Sequence, residues 1–202
     1  LGDQAGRTLD TVTREVVNAG TNVQYAEGQV SSRVALTSAM TLTPKAIAMA
    51  VRTLKKRNAP RINGKYIGII SQDVAFDLQQ NPDYKDLFRY TDNSAFKNGY
   101  LFDLSGVEFY ETSEAKKWIN AGASSIDVYS SLILGKDAFA VTALEGEGLE
   151  TIVKQLGSSG ASDPLNQRAT VGWKALKAVA ILTNQYMVRI ETGSFYNEHE
   201  AN

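Results

Sequence analysis

In some segments of this chain of 202 residues the apolar residues repeat with the period of a helix, and in others they alternate as in a strand. The two kinds of segment follow one another in no regular order. A doubly wound parallel sheet needs strict strand–helix alternation, whereas an irregular mixture favours the α+β class. The chain is long enough for one domain or for two closely packed ones. We therefore predict an α+β fold with a substantial buried core.

Two helices are predicted near the start. In the first, over residues 3–19, the apolar residues recur at alternating four- and three-residue steps and so share one helical face. These residues are Ala5, Leu9, Val12 and Val16. Gly20 follows where a left-handed residue often ends a helix.

The second helix has clear signals at both ends. Thr43 can cap its N-terminus, Pro44 suits its first turn, and the helix is expected to end near Asn58, before Pro60. Its apolar stripe consists of Ile47, Ala50, Val51 and Leu54.

The middle of the chain is predicted to contain short strands and helices. The runs with the length and residue types of strands are 66–70, 106–110, 126–134 and 138–144. Asn63-Gly64 predicts a turn before the first strand, and residues 135–137 predict a hairpin turn between the last two. The short helices are predicted over residues 74–79, 84–88 and 113–118, with Ser113 as the cap of the last one.

Residues 157–163 are small and polar, which predicts a mobile surface loop or hinge and the best internal boundary. Beyond this loop, residues 169–190 are densely apolar and are interpreted as strand, short helix and strand. The residues expected to pack in this segment are Trp173, Leu176, Ile181 and Leu182.

Composition excludes several classes of site. Lys and Arg number 21 against 22 Asp and Glu, so the chain has no large net positive charge that would attract nucleic acid or an anionic membrane. Cysteine is absent, which excludes disulfides, thiolate metal sites and a cysteine nucleophile. No apolar run is long enough to cross a bilayer, so no membrane partner is expected. Leu1 stands in place of an initiator methionine, and we expect a trimmed, cleaved or truncated chain.

No complete catalytic or metal-binding set is recognisable. His199 is the only histidine, and it lies in a polar tail where it is expected to be disordered. Ser113 and Lys116 have the S-x-x-K spacing of serine acyl-enzymes, but the S-D-N and K-T-G elements of those enzymes are missing. We therefore predict a protein that is not an enzyme, with no catalytic residues, no cofactor or metal site and no small-molecule substrate.

Three weaker patterns are also better explained as ordinary structural features than as functional sites. Residues 145–151 resemble a dinucleotide-binding turn but lack its third glycine, and their three glutamates would repel a pyrophosphate. Gly135-Lys136 lacks the remainder of a phosphate loop. Four carboxylates could form an acid/base pair or a metal site, but solvated helix faces are favoured. They are Asp73, Asp77, Asp83 and Asp86.

The sharpest charge feature is a basic cluster near the end of the second helix. It consists of Arg52, Lys55, Lys56, Arg57 and Arg61. Cations at this end of a helix complement its dipole, but they could also contact phosphates. No aromatic residues are interleaved for base stacking.

Three segments point to a known family. They are residues 18–26, residues 104–115 and residues 163–175, the last of which is followed by residues 180–182 and 187–191. In this order they resemble segments of the major capsid proteins of tailed bacteriophages related to phage N-four. The C-terminal block carries most of the resemblance.

The resemblance implies the Johnson capsid fold, with a spine helix, a peripheral domain and an axial domain. It implies a spine helix and the start of the peripheral domain in residues 1–43, and the axial domain in residues 44–150. Residues 151–202 would hold the hinge loop and the C-terminal part of the peripheral domain. The family's N-terminal arm and extended loop have no counterpart in this sequence.

The function implied is that of a structural protein that self-assembles into pentamers and hexamers of an icosahedral phage or prophage head enclosing double-stranded DNA. Its location would be the virion, after assembly in the cytoplasm of a bacterial host. Its partners would be other copies of itself, with nonspecific contact to packaged DNA as a further option. Without arm and loop, this chain alone is expected to be monomeric or weakly associated.

Two alternatives remain open from the residues themselves. One is a nucleic-acid-binding module that uses the basic cluster from Arg52 to Arg61. The other is an α/β enzyme with an unrecognised carboxylate or Ser-Lys site.

Overall fold

The structure is a computed structural model that describes residues 2–89, 104–142, 148–158, 165, 167–197 and 199. The helices within these ranges are α1 (Gly2–Asn18), α2 (Pro44–Lys56), α3 (Gln72–Gln80) and α4 (Pro82–Arg89). The strands are β1 (Val23–Tyr25), β2 (Tyr66–Ile70), β3 (Val107–Glu111), β4 (Lys117–Trp118), β5 (Val128–Leu134), β6 (Phe139–Val141), β7 (Glu150–Lys154), β8 (Thr170–Lys174), β9 (Val179–Ile181) and β10 (Met187–Thr192). The predicted α+β class is confirmed.

A mixed central sheet organises the fold. Its strand order is β1-β10-β5-β2-β3, and β4 also pairs with β5. The pairs β1–β10 and β2–β3 are parallel, whereas β5 is antiparallel to both of its main neighbours. Strands from near the two ends of the chain therefore lie side by side at one edge of the sheet.

Helices cover both faces of this sheet. On one face, the buried side of α2 and residues of α3 pack against β2, β5 and β10 in a single core cluster. On the other face, Val17 of α1 packs against Leu132, Leu134 and Met187. All seven residues of β5 are buried because this strand is covered on both faces and paired on both edges.

The second helix follows its sequence signals closely. The Thr43 hydroxyl accepts a hydrogen bond from the Ala46 amide at 3.1 Å and donates one to Glu27 at 2.7 Å. The four residues of the predicted apolar stripe are all buried. The turn at Asn63-Gly64 is also confirmed, with φ values of 51° and 83°.

The first helix is confirmed, but its details differ from the prediction. Val17 is buried, whereas Val12 is 42% exposed, because α1 covers the sheet with a slightly rotated face. Gly20 is not left-handed; it is needed for a close approach, since a Cβ there would lie 3.0 Å from Met187 Cε. Packing against β10 therefore decides how this helix ends.

Two local predictions in the middle of the chain are wrong. Residues 113–118 form a turn followed by β4, so Ser113 caps no helix. Strands β5 and β6 both exist, but they are not a hairpin, because β6 pairs with β9 from the C-terminal segment. In each case pairing with another strand, β5 for Trp118 and β9 for β6, overrides the local signal.

The C-terminal segment contains more strand than predicted. Residues 170–192 form β8, β9, a short 3-10 turn and β10. Ile181 packs beside α1 as expected, and Trp173 is half-buried. Leu176 and Leu182, expected to pack, are instead 58% and 60% exposed. Of the predicted loop at 157–163, residues 159–163 lie outside the described residues.

Candidate functional site

A two-stranded ribbon leaves the central sheet after β5. Its inner part pairs β6 with β9, and its outer part pairs β7 with β8, both antiparallel. Lys177 in this ribbon donates a hydrogen bond to the Leu9 carbonyl of α1 at 3.2 Å. In the part of the chain that the structure describes, the outer part has only these two strands. An isolated two-stranded ribbon is only marginally stable in water, so this one is expected to gain support from a partner.

One side of the outer ribbon is apolar, and we call it the ribbon face. It consists of Thr151, Val153, Val171 and Trp173, which the cross-strand pairs Thr151–Trp173 and Val153–Val171 bring together. Val153 and Val171 are 60% and 50% exposed. The other side carries the ion pair between Glu150 and Lys174, with an N–O distance of 2.9 Å. An exposed apolar face beside a polar one is typical of an interaction surface.

A second exposed apolar surface lies beside α3. Phe76 and Tyr196 meet edge to face with ring centroids 5.6 Å apart, and Phe195 is the most exposed of the three aromatic residues. Exposed aromatic side chains are enriched in protein–protein interfaces. This surface is therefore a further candidate for contact with another protein.

Two buried aspartates attach the C-terminal segment that carries these aromatic residues. Asp77 accepts hydrogen bonds from the Ser194 hydroxyl at 2.7 Å and from the Phe195 amide at 3.2 Å. Asp127 accepts one from the His199 amide at 2.9 Å, and its other oxygen lies 3.1 Å from His199 Nδ1. The predictions of a disordered His199 and a solvated Asp77 are therefore wrong. No local signal could reveal these contacts, because the partners lie at least 72 residues apart.

The burial of Asp77 should make stability depend on pH. Burial raises the pKa of Asp77, the bonds from Ser194 and Phe195 oppose that rise, and nearby Asp73 adds to it. The folded state therefore holds this proton to a higher pH than the unfolded chain does. The stability due to Asp77 is complete below the unfolded pKa, falls as pH rises toward the folded pKa, and is constant above it.

Asp77→Asn removes this titration and keeps a carbonyl oxygen for Ser194. Urea unfolding at a series of pH values should show the variant gaining stability relative to the parent as pH rises through that window. The exposed Asp10→Asn variant makes the same substitution on the surface of α1 and is the control for the change itself. A difference between Asp77→Asn and the parent that does not change with pH would contradict the burial argument.

An apolar groove of about 330 Å³ lies between α1 and the central sheet. Lys116 lines this groove, but its ammonium group binds both carboxylate oxygens of Glu15 at 2.8 Å. Arg14, at the same groove, donates to the Glu114 carbonyl at 3.0 Å. Ser113 is not among the residues that line the groove, so the structure does not assemble the S-x-x-K pair at this place.

The remaining sequence candidates lie apart from one another. Gly135-Lys136-Asp137 forms the turn after β5, and Asp137 is left-handed there with φ 60°. Residues 143–147 are outside the described residues, and Glu150-Thr151 begins a strand and not a helix. Within the described ranges, no three His, Cys, Asp or Glu side chains could jointly hold a metal ion. The helices in these same ranges are too short or too polar to cross a membrane.

The basic cluster lies on the exposed side of α2 and in the loop after it. Arg52, Lys55, Lys56 and Arg57 are exposed, and so is Arg61. Asp83 and Asp86, on α4, are exposed as predicted.

No family model and no curated protein sequence matches this chain. Its fold, however, is similar to solved capsid structures of bacteriophages. For the capsid of cyanophage P-SCSP1u, the TM-score is 0.68 at 14% identity, covering 96% of this chain and 64% of that one. For the capsid of cyanophage Pam1, the TM-score is 0.65 at 16% identity, covering 86% and 54%. For the capsid of Ralstonia phage GP4, the TM-score is 0.63 at 14% identity, covering 91% and 55%.

The chain thus spans between about half and two thirds of the length of these capsid proteins. The identities are low, so what the similarity establishes is the arrangement of helices and strands. That arrangement agrees with the fold that the three sequence segments implied. This chain has the Johnson fold of tailed-phage capsid proteins.

Proposed function

We propose that this chain is the folded body of a major capsid protein, a structural subunit of a phage or prophage head. The observation that carries the proposal is the shared fold, which extends over 86–96% of this chain in three phage capsids. The proposed assembly consists of pentamers and hexamers in an icosahedral shell around double-stranded DNA. The proposed location is the virion, after assembly in the host cytoplasm, and the proposed role is structural and not enzymatic.

We also propose the domain division that the sequence resemblance implies. We take α1 as the spine helix, residues 44–150 as most of the axial domain and the ribbon strands of the later segment as part of the peripheral domain, while β10 completes the central sheet beside β5. The contact between α1 and β9 supports placing the helix and the later segment in one domain. The bond from Lys177 to Leu9 adds to this support.

The proposed partners are further copies of the chain, and the proposed contact is the ribbon face. Its two valines lie in solvent in the single chain, and burying them against a neighbour would gain roughly 1–2 kcal/mol each. That gain is small for one contact, which fits weak association of isolated chains. A closed shell repeats the contact many times.

Cysteine cross-linking tests this proposal directly, because the chain has no cysteine of its own. Val153→Cys places one thiol on the ribbon face. With a short bis-maleimide, covalent dimers should form in increasing yield as protein concentration rises. Val153→Glu should weaken the self-association that light scattering detects at high concentration, since it places a charge in the apolar contact.

The matched control is Val34→Cys, which changes a more exposed valine outside the ribbon. It should give clearly fewer dimers than Val153→Cys under the same conditions. Equal yields from the two variants would reject the ribbon face as the contact. Absence of self-association at every concentration would reject the ribbon face as a contact between isolated chains.

A further inference from the structure

The exposed side of α2 forms a strongly basic surface together with the two loops beside it. We call it the basic surface; it consists of Arg52, Lys55, Lys56, Arg57, Arg61 and Lys136. Lys136 belongs to it because its amide donates to the Pro60 carbonyl at 2.9 Å, which places the turn after β5 beside Arg61. The chain as a whole has a net charge of −1, so this concentration of positive charge is local.

Within the described ranges, the cations in the second half of α2 lack the acidic partners that usually balance such charges, unlike the lysine near its start. The 13 residues of α2 include no Asp or Glu. Arg52 and Lys56 lie four residues apart on one face, where like charges repel and destabilise a helix. Among the described residues, no ion pair joins Arg52, Lys55, Lys56 or Arg57 to a carboxylate. The helix dipole favours the cations of the last turn only, so it does not explain Arg52 or Arg61.

The fold holds this surface rigidly. The opposite side of α2, including Val51 and Leu54, is buried against the central sheet. The Arg61 guanidinium lies 5.5 Å from the ring centre of Tyr66, which is itself buried. The base of the ribbon packs on the other face of the sheet, beside α1. A contact made through the ribbon therefore leaves the basic surface open to a different partner.

The chemistry of the surface favours a polyanion over a protein partner. Interface cores in protein complexes are apolar and depleted in lysine. In the segments 52–61 and 135–137 no large hydrophobic side chain is exposed. Duplex DNA presents about one phosphate charge per 1.7 Å of its axis, so cations spread over about 8 Å of helix meet several phosphates. Exposed aromatic residues that could stack on bases are also missing from these segments.

We infer that the basic surface binds the phosphate backbone of duplex DNA without sequence preference. This inference rests on the charges of α2 and not on the proposed shell function. Within a shell, it would give each subunit a weak contact with the enclosed duplex.

The test is the salt dependence of binding to a short fluorescent duplex of random sequence, followed by anisotropy with the whole chain. Binding should be weak, with a Kd on the order of 10⁻⁶–10⁻⁴ M at physiological salt. Log K against log salt should have a slope of roughly −4 to −5, corresponding to about five phosphate contacts. Replacing Lys55, Lys56 and Arg57 by alanine together should reduce that slope by about 2.7 and weaken binding at low salt by about tenfold or more.

The matched control replaces Arg7, Lys85 and Lys154 by alanine, which changes the net charge by the same amount outside the basic surface. This control should bind DNA nearly as the parent does. Thermal unfolding of both triple variants shows whether they remain folded. Light scattering shows whether they still self-associate, so a loss of DNA binding can be told apart from either defect. Failure of DNA binding together with intact self-association would leave the shell function standing.

Three results would overturn the inference. One is absence of duplex binding at low salt, and another is equal loss of binding in the two triple variants. The third is tighter binding of poly-glutamate or of anionic lipid vesicles than of the duplex, which would assign the surface to an acidic protein or to a membrane.

Discussion

Replacing Glu191 by alanine should lower the free energy of unfolding by about 3–5 kcal/mol. The Glu191 side chain is fully buried, and Arg33 binds it in a bidentate manner, with both N–O distances 2.7 Å. Arg189 Nε lies 2.9 Å from the same carboxylate. Both guanidinium groups also lie over the ring of Trp118. Without the carboxylate, two positive groups would face each other, and Arg189 would have little access to water.

Chemical denaturation of Glu191→Ala and Glu150→Ala measures this effect. Glu150 pairs with Lys174 in solvent, so its removal should cost no more than about 1 kcal/mol. Changing Arg33 to Met as well should restore part of the stability lost in Glu191→Ala, because one unpaired charge is then gone. Equal, small losses at positions 191 and 150 would show that the buried cluster contributes little.

Replacing Leu54 by alanine should also cost about 2–5 kcal/mol. Leu54 is fully buried where the last turn of α2 meets the sheet, in the same cluster as Ile70, Tyr129 and Ile190. The loss combines the transfer of the removed methyl groups with the cavity they leave, because the strands beneath cannot move inward freely. The helix itself should persist, since alanine has the highest helix propensity.

Leu176→Ala makes the same chemical change at a residue that is 58% exposed. Its effect on the free energy of unfolding should stay within about 0.5 kcal/mol. The difference in denaturation midpoint between the two leucine variants isolates burial from the identity of the side chain. Similar midpoints would mean that α2 is not packed on the sheet as described.

Elements with strong local signals were predictable. For α2, the cap at Thr43, the proline at Pro44 and the apolar stripe up to Leu54 agree with one another, and the structure confirms all three. Strand β2 and the turn at Asn63-Gly64 were predictable for the same reason. Hydrogen bonds within a helix or a tight turn join residues that are close in sequence, so the signal is complete within a short window.

Elements that depend on pairing with another strand were not predictable in this way. Residues 113–118 have helical residue types, yet Lys117 and Trp118 pair with β5. Strand β6 was expected to pair with its predecessor, yet its partner is β9. The resemblance to phage capsid proteins indicated the fold as a whole, but it did not indicate these pairings.

The two candidate surfaces also differ in how far the sequence predicted them. The basic cluster was visible in the sequence as a run of cations near the end of the second helix. The ribbon face was not visible, because Val171 and Trp173 look like core residues until their pairing with β7 leaves that side in solvent. Glu191 is the converse case, since its carboxylate is fully buried and nothing in the local sequence indicated that.

The sequence by itself therefore determined the α+β class, the main helix and strand positions and the basic cluster at the end of α2. It also indicated the capsid fold through segments that resemble a known family. Only the tertiary structure decided how β1 and β10 complete the sheet, which aspartates hold the C-terminal segment and which apolar residues remain exposed. The reason is physical: periodicity reports the preference of a short segment, whereas burial and pairing depend on contacts between residues that are often more than 100 positions apart.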